Sequence, residues 1–287
     1  MIGMNLKSWT LAVAMLAAAS CFAFEDGLLS FAEEQATAKM AGQPLKQFSM
    51  AFPEAERVHA ETVQRHYVKR LLAEGEALSG IKGAVVGAGG QSLFAIDGPL
   101  SAVLFQSGWH RAGAMPVKIP VREAAAPGVE TELGIILSKP ISGELADVEA
   151  LKACVEAVVP VIELPAGLHD WKEKPEAVDL VAANVDSDHY IVGTPHLDLT
   201  LDLDALPIRL LEGDEVRNET TGGDARNGQW WNFLRQVNWA VRQGYQLQPG
   251  KLVITGALGK IHKADSGSFR AEFGELGMIE FELVKAE

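Results

Sequence analysis

Cysteine is scarce: Cys21 and Cys154 are the only two in 287 residues. Cys21 falls in a segment expected to be removed or lipidated, so the mature chain has no intramolecular disulfide and its core must hold without one. Cys154 lies in Leu151-Lys152-Ala153-Cys154-Val155, where a small buried hydrophobe accounts for it better than a nucleophile does. Basic clusters are also missing. Asp+Glu number 38 against Lys+Arg 25, a formal charge of -13 with no lysine or arginine block, which argues against nucleic acid as a partner. An anionic substrate would meet an opposing field and would need a local cation, which makes a metal ion attractive. No His pair has the i, i+4 helical spacing of a zinc site. No internal repeat or low-complexity tract is present, and no apolar run is long enough to span a membrane. What remains is an ordinary globular composition, 48% hydrophobic and 22% charged, with enough chain for one large domain.

The first 23 residues read as an export signal. Lys7 supplies the positive charge, residues 9–19 form a short apolar stretch, and small residues surround Ala23. Cleavage there would start the mature chain at Phe24 and place it in the periplasm or outside the cell. Ala18-Ala19-Ser20-Cys21 also resembles a lipoprotein cleavage box, without the usual leucine at its first position, so lipidation of Cys21 is the alternative to simple cleavage.

Residues 24–80 form a helical region, in which 54–78 carry Val58, Val63, Tyr67, Leu71 and Leu72 at helical spacing. From 81 to 287 the texture is β-rich. Short runs broken by Gly and Pro predict strands over 84–87, 102–105, 117–121, 130–137, 190–192, 252–254, 269–273 and 278–283. Helices are predicted over 145–158 and 230–243, the second with Trp231, Leu234, Val237 and Val241 on one face. The polar stretch 212–228 reads as a hairpin plus loop. Strands and helices do not alternate regularly, which argues for an α+β fold with a curved or rolled sheet.

Two acids stand out in Val129-Glu130-Thr131-Glu132-Leu133-Gly134. At i and i+2 on a strand they share one face and repel each other. A solitary Glu-x-Glu faces solvent more often than not. Here Gly134-Ile135-Ile136-Leu137 continues as a buried run, and paired acids near a core call for a cation. Glu163, inside Val161-Ile162-Glu163-Leu164, is a third acid in apolar surroundings. Three carboxylates without a Cys/His cluster suit Mg²⁺ or Mn²⁺.

In order and with similar spacing, Gly80-Ile81-Lys82, Ile96-Asp97-Gly98-Pro99, Val129-Glu130-Thr131-Glu132, Val161-Ile162-Glu163, Val181-Ala182-Ala183-Asn184 and Thr255-Gly256-Ala257-Leu258-Gly259 resemble the fumarylacetoacetate hydrolase superfamily. Within it, the pattern is most similar to the branch of 2-keto-4-pentenoate hydratases and 4-oxalocrotonate decarboxylases. The resemblance spans roughly 58–283. It implies a helical N-terminal part followed by a mixed β-roll of the family's C-terminal type, Glu130, Glu132 and Glu163 as ligands of Mg²⁺ or Mn²⁺, Lys82 as the catalytic lysine, and Thr255 and Gly256 along the substrate pocket. Without it, Lys82 would read as an exposed residue after the helix. The chain also departs from the branch. Leu100, facing substrate, stands where the hydratases carry an acid; Lys82-Gly83-Ala84-Val85-Val86 replaces Lys-x-Gly-x-Thr; and Ala183 precedes the retained Asn184.

The expected activity is a metal-dependent lyase, a hydratase of a 2-hydroxy-2,4-dienoate or 2-keto-4-pentenoate-type acid, with Lys82 moving protons once burial or the metal lowers its pKa. The alternatives are a decarboxylase of a 4-oxalocrotonate-like 2-oxo acid and a non-catalytic exported member of the same fold. A carbon–carbon hydrolase would need a His/acid pair, for which His110 and His169 are candidates by sequence alone; His169-Asp170-Trp171 also reads as a lid or a surface turn. The expected partner is a small 2-oxo or 2-hydroxy acid, with no nucleic acid, no membrane span, and self-association into a homo-oligomer left open.

Overall fold

The computed structural model describes residues 6–122, 125 and 127–286, with side chains described from 23 onward. Of the expected export segment, 1–23, residues 1–5 lie outside the described residues, and 6–23 form the first part of a helix that runs on to Met40. Among the described residues, no helix is long and apolar enough to cross a membrane.

The N-terminal part is helical: α1 (Leu6–Met40), α2 (Phe48–Ala51) and α3 (Arg57–Ala73). Buried Leu28, Phe31, Ala32 and Ala36 of α1 and buried Ala60, Val63, Tyr67 and Leu71 of α3 belong to one apolar cluster. Alanines at closely packed positions let two helices approach. Phe24 stacks edge-on to Phe52 with ring centroids 5.7 Å apart. At the start of α3 the Glu56 side chain accepts a backbone N–H, while the Glu56 N–H donates to His59 Nδ1 at 2.9 Å, a reciprocal cap. The helix predicted over 54–78 stops at Ala73, because Gly75 takes φ +103 and turns the chain out of the helix.

Next come β1 (Leu78–Ala84), α4 (Ala88–Leu93), β2 (Leu100–Phe105), β3 (Trp109–Arg111), β4 (Val117–Val121), β5 (Gly128–Leu137), α5 (Val148–Lys152) and β6 (Val155–Leu164). They are followed by α6 (Ala177–Ala182), β7 (His189–Val192), β8 (Pro207–Glu212), β9 (Glu215–Thr221), α7 (Gln229–Arg242), β10 (Leu252–Ile254), β11 (His262–Lys263), β12 (Gly267–Glu272) and β13 (Met278–Lys285). The larger sheet runs β2-β1-β10-β5-β6-β7-β3, with β11 paired to β5; the smaller runs β4-β13-β12-β8-β9. Parallel and antiparallel pairs mix in both sheets, as the α+β reading with a rolled sheet anticipated.

Three local expectations need correction. The strand predicted over 84–87 is instead β1, which ends at Ala84, before Val85 turns left-handed with φ 55. The helix predicted over 145–158 shrinks to α5, and Val155, Val158, Val159, Val161 and Ile162 extend as β6; β-branched side chains pack better on a pleated sheet than on a helix. Helix α7 does form between Gly228 and Gly244, but it buries Gln229, Asn232, Phe233, Gln236, Val237 and Ala240 rather than Trp231, Leu234 and Val241. The buried face is set by β1, where Gly83 makes room: a Cβ there would lie 2.0 Å from the Thr255 carbonyl oxygen and 2.6 Å from Gln236 Nε2. The hairpin expected over 212–228 is present as β8 and β9, joined through Gly213 at φ +56.

The side chains that dock α1, from Phe24 through Leu28, Phe31, Ala32 and Ala36, all lie beyond residue 23. A chain beginning at Phe24 is therefore expected to fold with an unchanged urea midpoint, checked by equilibrium unfolding beside the full-length protein; a lowered midpoint would give the first 23 residues a structural role.

Candidate active site

Strand alternation sends Glu130 and Glu132 to one face of β5, and the β5–β6 register sets Glu163 directly opposite Glu130. The three side chains each offer a carboxylate oxygen within 4.8 Å of the others. Glu132 and Glu163 are fully buried and Glu130 is partly so. On the opposite face of β5 the buried Thr131 accepts a hydrogen bond from Asn218 Nδ2 at 3.1 Å and donates to the Leu258 carbonyl at 3.2 Å, which fixes the strand from behind.

Lys82 reaches this cluster from β1, three strands away from β6 in the order β1-β10-β5-β6. In a flat sheet the two strands would stand about 14 Å apart, yet Lys82 Nζ lies 2.7 Å from Glu163 Oε1 with both side chains buried. The sheet must therefore curl around the site. Lys82 Nζ also donates to the Val185 carbonyl at 3.3 Å. That carbonyl is aimed by an unusual turn: Asn184, Val185 and Asp186 take φ of 51, 48 and 53 in succession. A β-branched residue in this region carries strain of about 1–2 kcal/mol. The turn is held by Asn184, whose Oδ1 accepts the Val103 N–H at 2.9 Å and whose Nδ2 donates to the Val103 carbonyl at 2.9 Å.

Burial pushes all three glutamates up. Glu132 is raised to about 8, by burial first and by Glu130 next, with Lys82 and the Gly256 N–H opposing. Glu163 is raised well above the usual carboxylate range and Glu130 is raised in the same direction, again chiefly by burial. For Lys82 the condition set for proton transfer at neutral pH, a lowered pKa, is not met by the protein's own groups. Burial does lower it, but the attraction of Glu163, Glu130 and Glu132 outweighs burial and pushes it up to about 12, so Lys82 stands as an ammonium. A single cation does not neutralise three acids. Glu163 Oε2 and Glu132 Oε1 are buried without any hydrogen-bond partner, a state that carries a penalty of about 1–3 kcal/mol per group or more for a charge. Converging hard oxygens left unsatisfied in this way fit a divalent cation.

The other expected site residues are placed as follows. The Gly256 N–H donates to Glu132 Oε2 at 2.8 Å; its φ is +115, and a Cβ there would press on Gly83 and Ala84 at 3.0–3.1 Å. Thr255 is fully buried, with its hydroxyl donating to the Leu133 carbonyl at 3.3 Å. Leu100 is fully buried, pairs with Ala84 and stands two residues from Ala102, the partner of Lys82, so alternation puts it on the Lys82 side of β2. His110 lies apart on β3, with its Nε2 3.2 Å from His189 Nδ1. His169 is close to the site, its Nε2 2.8 Å from Asp186 Oδ2. Val185 and Asp186 escaped the sequence reading; the one signal was the acid at 186 following the retained Asn184, since a contributing backbone carbonyl leaves no mark in side-chain chemistry.

Comparison with known proteins shows what the chain and its fold are similar to. Residues 83–284 match the profile of the fumarylacetoacetate (FAA) hydrolase C-terminal family. The chain is 29% identical over 232 residues to 2-keto-4-pentenoate hydratase 1 of Dechloromonas aromatica (strain RCB), covering 78% of this chain and 85% of that protein. It is 25% identical over 252 residues to 2-oxo-hept-4-ene-1,7-dioate hydratase of Escherichia coli, covering 83% and 90%. The fold is shared with 4-oxalocrotonate decarboxylase from Pseudomonas putida G7, solved with magnesium and adipate, at a TM-score of 0.80, 19% identity, and coverage of 89% of this chain and 97% of that one.

In the metal-free protein the folded state keeps a proton on Glu132 up to about pH 8, whereas the unfolded chain releases it near 4.5. The folded state thus binds more protons in between, and stability falls as pH rises through that window. The melting temperature without divalent ion is expected to drop from pH 4.5 to about 8. Glu132→Gln is expected to flatten that drop and to weaken Mn²⁺ binding by more than about tenfold. Calorimetry across the pH range and a Mn²⁺ titration check both; a pH profile identical in wild type and variant would contradict the raised Glu132.

Proposed function

This chain belongs to the fumarylacetoacetate hydrolase family, and on that footing we propose that it is a hydratase that adds water to a 2-hydroxy-2,4-dienoate or 2-keto-4-pentenoate-type acid, with Mg²⁺ or Mn²⁺ held by Glu130, Glu132 and Glu163. The observation that carries the reading is the buried acidic cluster with its two orphaned oxygens, in a chain whose relatives over most of its length are hydratases. A hard dication in that cluster supplies Lewis-acid stabilisation of the negative charge that develops on a 2-oxo acid. The protein's own groups do the rest. Gly256 N–H fixes one oxygen of Glu132 and leaves the other free. Lys82, an ammonium gripped by Glu163 and the Val185 carbonyl, has a proton to donate to a substrate oxygen and holds its Nζ at a fixed point. Burial of Leu100 keeps water from the wall beside Lys82.

Leu100 also favours a second reading, decarboxylation of a 4-oxalocrotonate-like acid, because losing CO₂ asks less of a proton-transferring side chain at that wall than adding water does. Purified protein with Mg²⁺ or Mn²⁺, offered short 2-hydroxydienoates and 2-oxo diacids, separates the two: hydration removes conjugated absorbance without CO₂, and decarboxylation releases it. Lys82→Met is expected to lower turnover by about 100-fold or more while keeping or tightening Mn²⁺ binding, since it removes the cation that competes for Glu163. Leu100→Asp is expected to raise hydration if an acid is all that is missing. Undiminished turnover by Lys82→Met would refute the role given to Lys82.

We further propose that residues 1–23 direct export, on the strength of Lys7, the apolar run after it and the small residues at Ala23. Mass spectrometry of the protein recovered from the envelope fraction of the source cell is expected to find Phe24 at the N-terminus; an intact N-terminus on protein from the cytoplasm would refute it.

A further inference from the structure

The loop after β6 leads from Glu163 to a polar pair that the functions assigned so far do not use. Asp186, almost fully buried, ends the left-handed run that aims Val185 at Lys82. One of its oxygens, Oδ2, accepts the Gly167 N–H at 2.7 Å and lies 2.8 Å from His169 Nε2. The pair borders the glutamate cluster closely enough for the Asp186 charge to push Glu130 upward. The backbone holds the loop in place: Leu45 N–H donates to the Leu168 carbonyl at 3.1 Å and Asp170 N–H donates to the Leu45 carbonyl at 2.9 Å.

A carboxylate only accepts, so the imidazole turns an N–H at Nε2 toward Asp186, and in the neutral ring this leaves Nδ1 as a bare acceptor. Nδ1 is buried and has no partner. The ring of Trp171 stacks on His169, with centroids 3.8 Å apart and planes 20° from parallel, and its Nε1, which only donates, is also buried without a partner. One unsatisfied acceptor and one unsatisfied donor on two stacked rings are chemically complementary to a hydroxyl group, which can donate to an acceptor and accept from a donor.

We propose that His169, oriented by Asp186 and backed by Trp171, is a catalytic proton carrier that receives the enol hydroxyl of the substrate; this rests on the 2-hydroxydienoate reading given above. The enol O–H bond breaks, its proton moves to Nδ1, and the imidazolium is held by Asp186. A C–H bond then forms at the far end of the conjugated system as the ring returns that proton, leaving the 2-oxo acid and a neutral histidine. No proton or electron is gained or lost overall. His169 thereby supplies the proton-transfer function for which Leu100 has no chemistry.

The test uses the full chain labelled with ¹⁵N-histidine, with His169→Gln identifying the resonances. In metal-free wild type the expected spectrum shows His169 protonated at Nε2 and bare at Nδ1, and the Nδ1 signal moves when Mg²⁺ and 2-oxopentanoate, which enolises, are added. A ring protonated at Nδ1 instead, or one indifferent to that acid, overturns the proposal. His169→Gln keeps an amide N–H for Asp186 yet cannot carry a proton, so its turnover of 2-hydroxypentadienoate is expected to fall about 100-fold with Mn²⁺ binding unchanged. His169→Ala is expected to regain turnover with added imidazole, which a merely structural histidine would not show. Full activity of His169→Gln overturns the proposal; a wild type inert on every dienoate overturns the hydratase reading instead, and the tautomer and its response to 2-oxopentanoate then decide the proposal.

Discussion

One buried contact, Lys82 Nζ to Glu163 Oε1 at 2.7 Å, sets the terms for the structure around it. Breaking such a pair by removing one partner costs about 3–5 kcal/mol, because the other charge is left buried and alone. Here the imbalance is built in, since one ammonium faces three glutamates. The surrounding fold meets that demand by geometry. The sheet curls so that β1 and β6 face each other, Gly83 lets the Thr255 carbonyl and Gln236 press against β1, and a strained turn brings the Val185 carbonyl to the lysine. The strain is tolerated because Asn184 is locked to both backbone groups of Val103, so that the turn has no cheap way to relax.

How much of this was legible in the sequence follows from which features are local. Glu130 and Glu132 could be put on one face because strand alternation is a rule of covalent geometry, and the apolar run after them betrayed burial. Glu163 stood out as a charge among Val161, Ile162 and Leu164. The α+β class followed from irregular alternation of texture. The segment 145–158 misled, because a run rich in Leu, Ala and Val satisfies helical spacing as well as it does a buried strand, and only pairing to β5 decides. Lys82 was recognisable by family pattern alone; its ammonium state depends on partners 48 to 81 positions further along the chain, Glu130, Glu132 and Glu163. The buried face of α7 was misplaced for a related reason, since polar side chains at Gln229, Asn232 and Gln236 read as a solvent face until the opposing strand is known.

Leu100 and Asp186 together suggest how such a site can redistribute a task. The wall beside Lys82 is apolar at the buried Leu100, while the loop that follows β6 carries His169 and Trp171, with Asp186 reaching His169 from the turn before β7.

Lys39, near the end of α1, donates to the Ser187 carbonyl at 3.1 Å and to Asp188 Oδ1 at 2.6 Å, immediately past the strained turn. The N-terminal helices are thereby fastened to the segment that shapes the site, and Gln64 of α3 adds a contact to Asn184 at 3.3 Å. The helical part is for this reason built into the wall of the site rather than resting on the sheets as a separate cap.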